Sequence, residues 1–424
     1  MIQTRWWILA LLSLVIAGNY YAYDSIAPVA DLLRTGRGFT QQQIGLLNAV
    51  FSLPNIALAL VGGILIDRFG PARVSLWTAA LCCVGTVLTA IGTPFGLMVF
   101  GRLLFGVGEE TLLIALLAGL AQWFSAGGTA LAMALFFSLA RVGSYSADIS
   151  PRWAHALYQH GWQPPLWLAA AITGASLAAA IVYAVVDRGV CRAVVEATHK
   201  PESIPWSWSD IRRFDRSFWY ILALNVLFAS VFFPFRSTFA IVYFQDAKGL
   251  SLEAAGLVNS WVFFAAIFAT PLFGFIADRI GRRALMMTLG TVMLPLTFLI
   301  LGATDWNLWI STALMGISFS VVPAVIWPAT AMLVEPSRLG TAYGLINVLQ
   351  NVGLAVCNLA AGWLNDNAMA GPANPAGFDA MLWFFGILGF VAFAFVALLW
   401  LRESGPRGHG LEVANGSSRG HPQI

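Results

Sequence analysis

The sequence predicts an all-α membrane protein with twelve transmembrane helices in two pseudo-symmetric six-helix bundles. The first observation is composition: the 424 residues are 59% hydrophobic and 10% charged, whereas soluble domains carry roughly 25% charged residues. The second observation is that the apolar residues fall into long runs, six on each side of a central polar stretch. The third is a short motif that recurs after the second run of each half.

Each apolar run is long enough to cross a hydrocarbon core, which takes about 20 residues in a helix. Helices are expected because the runs do not alternate and because backbone groups in lipid have to pair within their own segment. The first run has no convincing small-residue cleavage site, so we expect an uncleaved membrane helix. The predicted helices are 6–30, 43–66, 74–92, 95–121, 129–150, 165–186, 217–240, 253–277, 284–303, 306–334, 340–364 and 379–401.

Charge along the chain predicts the domain boundaries and the orientation. We expect an N-terminal bundle over 1–186, a linker over 187–216, a C-terminal bundle over 217–402 and a disordered tail over 403–424. With a cytoplasmic N-terminus, sixteen Lys and Arg residues fall in cytoplasmic segments and four in the opposite loops. Because Lys and Arg favour cytoplasmic loops, both termini are predicted to be cytoplasmic.

Several functional classes are disfavoured. The net charge of +3 is small, and nucleic-acid binding needs clustered basic surface. No Cys/His spacing suggests a metal site, and no nucleophile–base constellation suggests an enzyme. We therefore expect a monomer without a cofactor, embedded in the bilayer, with a small-molecule substrate as its partner.

An internal repeat links the two halves. "GGILIDRFGPAR" begins at Gly62 and "FGFIADRIGRRA" begins at Phe273, about half the chain apart. Two six-helix halves related by a repeat are typical of transporters, whose substrate site lies between the halves near the bilayer midplane.

These repeated segments resemble the G-x-x-x-D-R-x-G-R-R signature of the major facilitator superfamily. The second copy is complete, whereas the first departs from the signature at Pro71 and Ala72. The resemblance implies the major facilitator fold, and the Asp residues could cap neighbouring helix ends. A plain positive-inside anchor remains the alternative to gating. The candidate gating residues are Asp67, Arg68, Asp278, Arg279, Arg282 and Arg283.

Charged side chains inside the predicted helices are costly and usually mark pathways or ion pairs. At about 1.5 Å of rise per residue, Glu110 and Arg141 lie at similar depth near the midplane. They form either a structural ion pair or a site for a zwitterion, with Glu110 binding the ammonium and Arg141 the carboxylate. Asp24 and Glu109 are candidates for proton coupling. Asp148 and Arg236 lie nearer the outer ends of their helices, where a solvated mouth is expected.

The C-terminal half adds uncharged polar candidates. Tyr343, Asn347 and Gln350 are spaced four and three residues apart, so they share one helix face. Trp327 lies between Pro323 and Pro328, which can bend that helix. Asn259 is a further candidate for substrate binding. The alternative for each amide is helix–helix adhesion.

A narrower resemblance comes from "FGVGEE", from "SLARVGS" around Arg141, and from the long run "LMGISFSVVPAVIWPATAMLVEPSRLGTAYGLINVLQNVGLAV". These segments are similar to the lysosomal dipeptide transporters of the major facilitator superfamily. The resemblance implies dipeptide uniport, with Glu110 and Arg141 at the amino and carboxyl ends. No lysosomal sorting segment is seen, so a bacterial plasma-membrane relative is expected. A proton-coupled transporter of another small organic solute remains the alternative.

Overall fold

The fold is taken from a computed structural model that describes residues 2–124, 129–190, 214–304, 306–335, 338–406 and 408–413. Within these residues the chain makes twelve helical passes, as the sequence predicts. Pass 1 consists of Ile2–Asp24 and Ile26–Arg37, and passes 2 to 6 are Gln41–Phe69, Pro71–Ile91, Phe95–Trp123, Thr129–Asp148 and Gln163–Val190. Pass 7 consists of Arg216–Pro234, a π-helical turn Phe235–Phe239 and Ala240–Asp246, and passes 8 to 12 are Leu252–Ile280, Arg283–Ala303, Leu308–Leu333, Leu339–Asn367 and Asp379–Glu403.

The passes alternate in direction, so the start of pass 1 and the end of pass 12 lie on the same side of the molecule. We call that side the terminal end and the opposite side the far end. Ten passes, all except passes 2 and 5, are long and apolar enough in their described residues to cross a membrane. Short helices Ser150–Trp153 and His155–Gln159 follow pass 5 at the far end, and a 3₁₀ turn Pro375–Phe378 precedes pass 12.

Passes 1 and 7 differ most from the predicted boundaries. Pass 1 continues to Arg37 and pass 7 to Asp246, so both are longer at the far end than their apolar runs suggest. The predicted disordered tail is partly docked, because the Arg283 N–H donates to the Leu411 carbonyl at 2.8 Å and Leu411 is fully buried. This contact satisfies an N–H at the start of pass 9 that lacks a partner within its helix. Residues 191–213 of the linker and 414–424 lie outside the described residues.

The two halves are joined at the far end by hydrogen bonds and an ion pair. The Asp366 carboxylate accepts from the N–H groups of Gln41 and Gln42 at 2.8 and 2.7 Å. These are the first residues of pass 2, where a helix end carries positive partial charge. Arg34 donates to Asp246 at 2.6 Å. The far end is therefore closed by contacts that combine backbone dipoles with side-chain charge.

Close backbone approach between passes 2 and 11 reinforces this closure. A Cβ on Gly45 would lie 2.4 Å from the Asn358 carbonyl oxygen. A Cβ on Gly362 would lie 2.6 Å from the Cα of Gln42. Small residues at helix interfaces permit such packing in membranes, where lipid provides no hydrophobic drive between helices.

The motif residues lie at the terminal end. Asp67 and Arg68 are exposed, and the N-cap of pass 3 is Gly70 with no side-chain capping bond. No hydrogen bond from pass 3 to Asp67 is recorded among the described residues. Arg279 and Arg282 are exposed, Arg283 is buried, and the side chain of Asp278 lies outside the described part of the chain. The gating role of these residues remains a prediction.

Candidate functional site: a charged cavity between the two halves

A central cavity of about 260 Å³ lies between the halves. It is lined by passes 1, 2, 4 and 5 of the first half and by passes 7, 8, 10 and 11 of the second. Seven of the nine residues predicted for substrate binding or proton coupling meet here. Its polar lining residues are Tyr20, Tyr23, Asp24, Asn55, Glu109, Glu110, Arg141, Ser144, Asn225, Trp327, Asn347, Gln350 and Asn351.

Arg141 presents a cation to the cavity from within an aromatic box. Its guanidinium carbon lies 4.8 Å from the ring centroid of Phe319, 5.2 Å from that of Phe263 and 5.4 Å from that of Tyr20. Ring faces attract a cation without using its N–H donors. Among the described residues, no hydrogen bond to Arg141 and no carboxylate within 4.0 Å is recorded. Its planar set of donors is therefore available to a guest.

Glu110 is fixed by an amide from the opposite half. Asn347 donates its Nδ2 to Glu110 Oε1 at 2.8 Å. Asn351 donates to both the backbone and side-chain oxygens of Asn347 at 3.0 Å, and Asn55 reaches Asn351 at 3.4 Å. This chain of amides holds one carboxylate oxygen of Glu110.

Glu110 and Arg141 do not form a direct ion pair. In the described part of the chain no nitrogen–oxygen contact within 4.0 Å joins them, so the structural-pair alternative is wrong for this conformation. Glu109, next to Glu110, is buried and lines the cavity. No hydrogen bond to Glu109 is recorded among the described residues.

In contrast to Arg141, the buried Arg236 forms ion pairs with carboxylates of the protein. It donates to Asp24 at 2.6 Å and to Asp148, and both carboxylates belong to the first half whereas Arg236 belongs to the second. Arg236 and Asp148 have no exposed surface and Asp24 is 2% exposed. The Phe263 ring centroid lies 3.8 Å from the Arg236 guanidinium.

The predicted solvated mouth position of Asp148 and Arg236 is therefore wrong. Pass 7 continues to Asp246, six residues beyond its predicted end, so Arg236 lies well inside the helix. The short helix Ser150–Trp153 follows Asp148 directly, and pass 8 approaches so closely that a Cβ on Gly256 would lie 2.2 Å from the Asp148 carbonyl.

Arg102 is a structural cation. It is 3% exposed and donates to the carbonyl oxygens of Leu47, Ala22 and Tyr23 at 3.2–3.3 Å. It also donates to Asn48 Oδ1 at 2.5 Å. Two of these carbonyls lie just before the break in pass 1. Arg102 therefore stabilises that break, and it lies outside the cavity lining.

Of the remaining substrate-binding candidates in the second half, Gln350 lines the central cavity, whereas Tyr343 and Asn259 are not part of its lining. Gln350 lines the cavity and accepts from Asn225 at 2.7 Å. Tyr343 donates to the Trp327 carbonyl at 3.1 Å and packs on that ring, with centroids 5.4 Å apart. Asn259 does not line the central cavity, because it is buried and donates to the carbonyl of Arg236 at 3.2 Å.

Sequence reasoning missed Tyr20, Asn55 and Asn225. Tyr20 precedes Asp24 by four residues, so it shares that helix face. Asn55 and Asn225 are single amides inside apolar runs, which carry the same kind of signal as the intramembrane charges but a weaker one.

The chain has two six-pass halves, and the cavity between them is closed at the far end and lined by charged groups without an ion-pair partner among the described residues. This arrangement is that of a membrane transporter. The family model described as Major Facilitator Superfamily matches residues 12–251 and 221–418. The two matches together cover most of the chain and extend over both halves. The chain belongs to the major facilitator superfamily.

Particular relatives narrow this class. The chain is 30% identical over 372 residues to the lysosomal dipeptide transporter MFSD1 of Homo sapiens, a match that covers 85% of this chain and 80% of the relative. It is 31% identical over 361 residues to the MFSD1 of Danio rerio, covering 82% and 78%. It is 24% identical over 392 residues to the probable sulfoacetate transporter SauU of Cupriavidus necator, covering 86% and 88%.

Solved structures share the fold. The nucleoside transporter NupG aligns with a TM-score of 0.74 at 14% identity, covering 92% of this chain and 99% of NupG. A bacterial homologue of the human lysosomal transporter Spinster, in an inward-facing and unoccupied conformation, aligns with a TM-score of 0.70 at 14% identity, covering 94% and 97%. At this identity the likeness concerns the fold alone.

Proposed function

We propose that this transporter carries dipeptides or similar small zwitterions, with Glu110 binding the ammonium and Arg141 the carboxylate. The observation that carries the proposal is the unpaired Arg141 facing the cavity, with Glu110 held nearby on pass 4. The similarity to the MFSD1 dipeptide transporters supports the same substrate class.

Electrostatics explains why such a guest would bind. A cation near the membrane centre is costly unless it finds a counter-charge. The aromatic box around Arg141 offsets part of that cost, and a substrate carboxylate would offset more through two parallel hydrogen bonds to the guanidinium. A guest with both signs would satisfy Arg141 and Glu110 together and would add no net charge to the site.

The site also has the arrangement that alternating access requires. Glu110 and Arg141 belong to the first half, whereas Asn347 and Phe319 belong to the second. A substrate bound across the halves interacts differently with states in which they are tilted apart, and only such a difference shifts their balance. We propose uniport in a bacterial inner membrane with both termini cytoplasmic, so that the far end closes the outer side.

The test uses ligands that each lack one charge. Purified full-length protein is titrated with alanyl-leucine, with its N-acetyl derivative and with its C-terminal amide, and binding is measured by thermal shift and by calorimetry. We expect alanyl-leucine to bind and both derivatives to bind at least tenfold more weakly. Glu110→Gln should remove the discrimination against the acetylated ligand, and Arg141→Gln should remove the discrimination against the amide.

The matched control is Arg152→Gln, since Arg152 is exposed at the far end. It should bind all three ligands as the unaltered protein does. If no dipeptide binds, or if both site variants bind alanyl-leucine with unchanged affinity, the proposed substrate and its site are wrong.

A second candidate is a proton-coupled transporter of another small organic solute. Glu109 favours it, because this buried carboxylate lines the cavity without a recorded hydrogen bond among the described residues and is available to exchange a proton. Asp24 is the other candidate for proton coupling. In proteoliposomes, uptake of a labelled non-peptide solute such as an organic acid, driven by an imposed pH gradient and abolished in Glu109→Gln, would support this candidate. Counterflow of labelled alanyl-leucine without a gradient would support dipeptide uniport instead.

A further inference from the structure

A second cavity of about 300 Å³ lies beside the central one, between passes 5, 8 and 10. Four residues line both cavities: Arg141, Phe319, Pro323 and Trp327. The guanidinium of Arg141 therefore lies at the junction of the two spaces. The central cavity alone is smaller than typical ligand pockets, which measure roughly 300–1,000 Å³. A substrate bound at Arg141 would therefore find additional space in the second cavity.

The walls of the second cavity are regular helix faces. On pass 5, Ala134, Ser138 and Arg141 are spaced four and three residues apart and share one face. On pass 8 the wall includes Gly274, where an added Cβ would meet no atom within 4 Å. Pass 10 contributes Ala324 beside the shared residues. The small side chains leave open space that larger residues would fill.

The lining is apolar apart from three side chains. These are Arg141, Ser138 and Thr270, to which the indole N–H of Trp327 adds one polar group on an otherwise apolar ring. Ser138 already donates its hydroxyl to the Ile267 carbonyl oxygen at 3.2 Å. Beyond the guanidinium, the space therefore suits a hydrocarbon or aromatic group rather than a second charged one.

We propose that this second cavity receives the side chain of the carboxyl-terminal residue of a bound dipeptide, an inference that rests on the proposed function. When Arg141 holds the substrate carboxylate, the neighbouring Cα lies at the junction, and its side chain enters the apolar space. The amino-terminal residue lies toward Glu110 and the amide chain. The transporter thus prefers a large apolar residue at the carboxyl end and is less selective at the amino end.

Dipeptides of reversed order test this polarity, because they have the same composition and net charge. Affinities of alanyl-phenylalanine, phenylalanyl-alanine and alanyl-alanine are measured by calorimetry on the full-length protein. Burial of the aromatic ring should make alanyl-phenylalanine bind about tenfold more tightly than phenylalanyl-alanine. Ala134→Leu and Ala324→Leu, which fill the cavity from different helices, should each abolish that preference and weaken alanyl-phenylalanine binding far more than alanyl-alanine binding.

The matched control is Ala331→Leu, an exposed position on pass 10 outside both cavities. It should keep the preference. Equal affinities for the reversed pair in a protein that binds dipeptides through Glu110 and Arg141 would overturn the assignment and leave the proposed function standing. The same holds if the filling variants leave the preference for alanyl-phenylalanine intact, as expected if the second cavity opens to lipid and holds no part of the substrate. Binding of no dipeptide at all would overturn both.

Discussion

Arg236 and Arg141 are both arginines in the membrane interior, but the protein treats them in opposite ways. Arg236 has no exposed surface and donates to two carboxylates, Asp24 and Asp148. Arg141 is half-buried, faces the cavity and has three aromatic rings around it instead of a carboxylate. Arg236 is neutralised by carboxylates of the protein itself, whereas no carboxylate within 4.0 Å of Arg141 is recorded among the described residues.

The two arginines also share a ring. Phe263 lies 3.8 Å from the guanidinium of Arg236 and 5.2 Å from that of Arg141, measured to its centroid. The sealed ion triad and the open cation are therefore neighbours across one aromatic side chain. Since the triad joins the two halves, we expect a movement of one half relative to the other to change it, and the triad lies next to the proposed substrate site.

The largest effect is expected from removing the sealed cation. Arg236→Met leaves two buried carboxylates without their counter-charge, and breaking a buried pair in this way costs about 3–5 kcal/mol. The free energy of unfolding, followed in mixed detergent micelles, should fall by that amount.

The control for Arg236→Met removes the charges together. Adding Asp24→Asn and Asp148→Asn to the same chain should recover most of the lost stability, because no uncompensated charge remains. An Arg236→Met variant as stable as the unaltered protein would show that the triad is not a stabilising contact between the halves.

The next prediction is that replacing Arg141, unlike replacing Arg236, affects ligand binding rather than stability. Arg141→Met should change the unfolding free energy of the empty protein by less than about 1 kcal/mol, because no protein carboxylate loses its partner. It should nevertheless weaken alanyl-leucine binding at least about 30-fold, since losing one member of a desolvated charge pair costs 2–5 kcal/mol. Calorimetry and the same unfolding assay on one preparation measure both. A large stability loss would make Arg141 structural, like Arg236.

The sequence predicted the passes well for a clear physical reason. Lipid admits only segments that satisfy their own backbone, so an apolar run of about 20 residues has one available structure. Glu110 and Arg141 were identifiable because charge inside such a run is rare. Their opposite signs on adjacent passes at similar depth then suggested a zwitterion site.

The partners of Arg236 were not predictable in the same way. The triad brings residues 24, 148 and 236 together from three passes, and no local pattern encodes that meeting. Pass 7 is also longer than its apolar run, which ends at residue 240. The prediction therefore placed Arg236 too close to the end of the helix and to the solvent. Asn259 was misplaced for a related reason, because helix rotation decides whether an amide faces the cavity or the neighbouring Arg236 carbonyl.

A smaller effect tests how Glu110 is positioned. Asn347→Leu removes the 2.8 Å hydrogen bond to Glu110 while keeping a similar volume. A hydrogen bond to a charged group contributes about 1.5–3 kcal/mol, part of which a bound ammonium would recover, so we expect affinity for alanyl-leucine to fall about tenfold. Discrimination against the N-acetyl ligand should shrink with it. If affinity falls equally for the acetylated ligand, Asn347 acts on packing rather than on Glu110.

The smallest effect concerns a paired arginine at the terminal end, Arg402, where water reaches the pair. Asp215 caps pass 7 by accepting from the Ser217 N–H at 2.8 Å and pairs with Arg402 at 2.7 Å. Desolvation raises the pKa of Asp215, but the Ser217 hydrogen bond and Arg402 outweigh it, so the pKa lies below its ordinary value. Asp215→Ala should cost about 1 kcal/mol, the usual value of an N-cap, at neutral pH. Because the pKa is depressed, this difference should shrink as the pH falls below about 3.9, where the unfolded chain binds the proton first. Asp215→Asn, which keeps the cap but not the charge, should lose less. If Asp215→Ala lowered the free energy of unfolding as much as Arg236→Met does, burial would not explain why buried ion pairs contribute more to stability than exposed ones in this fold.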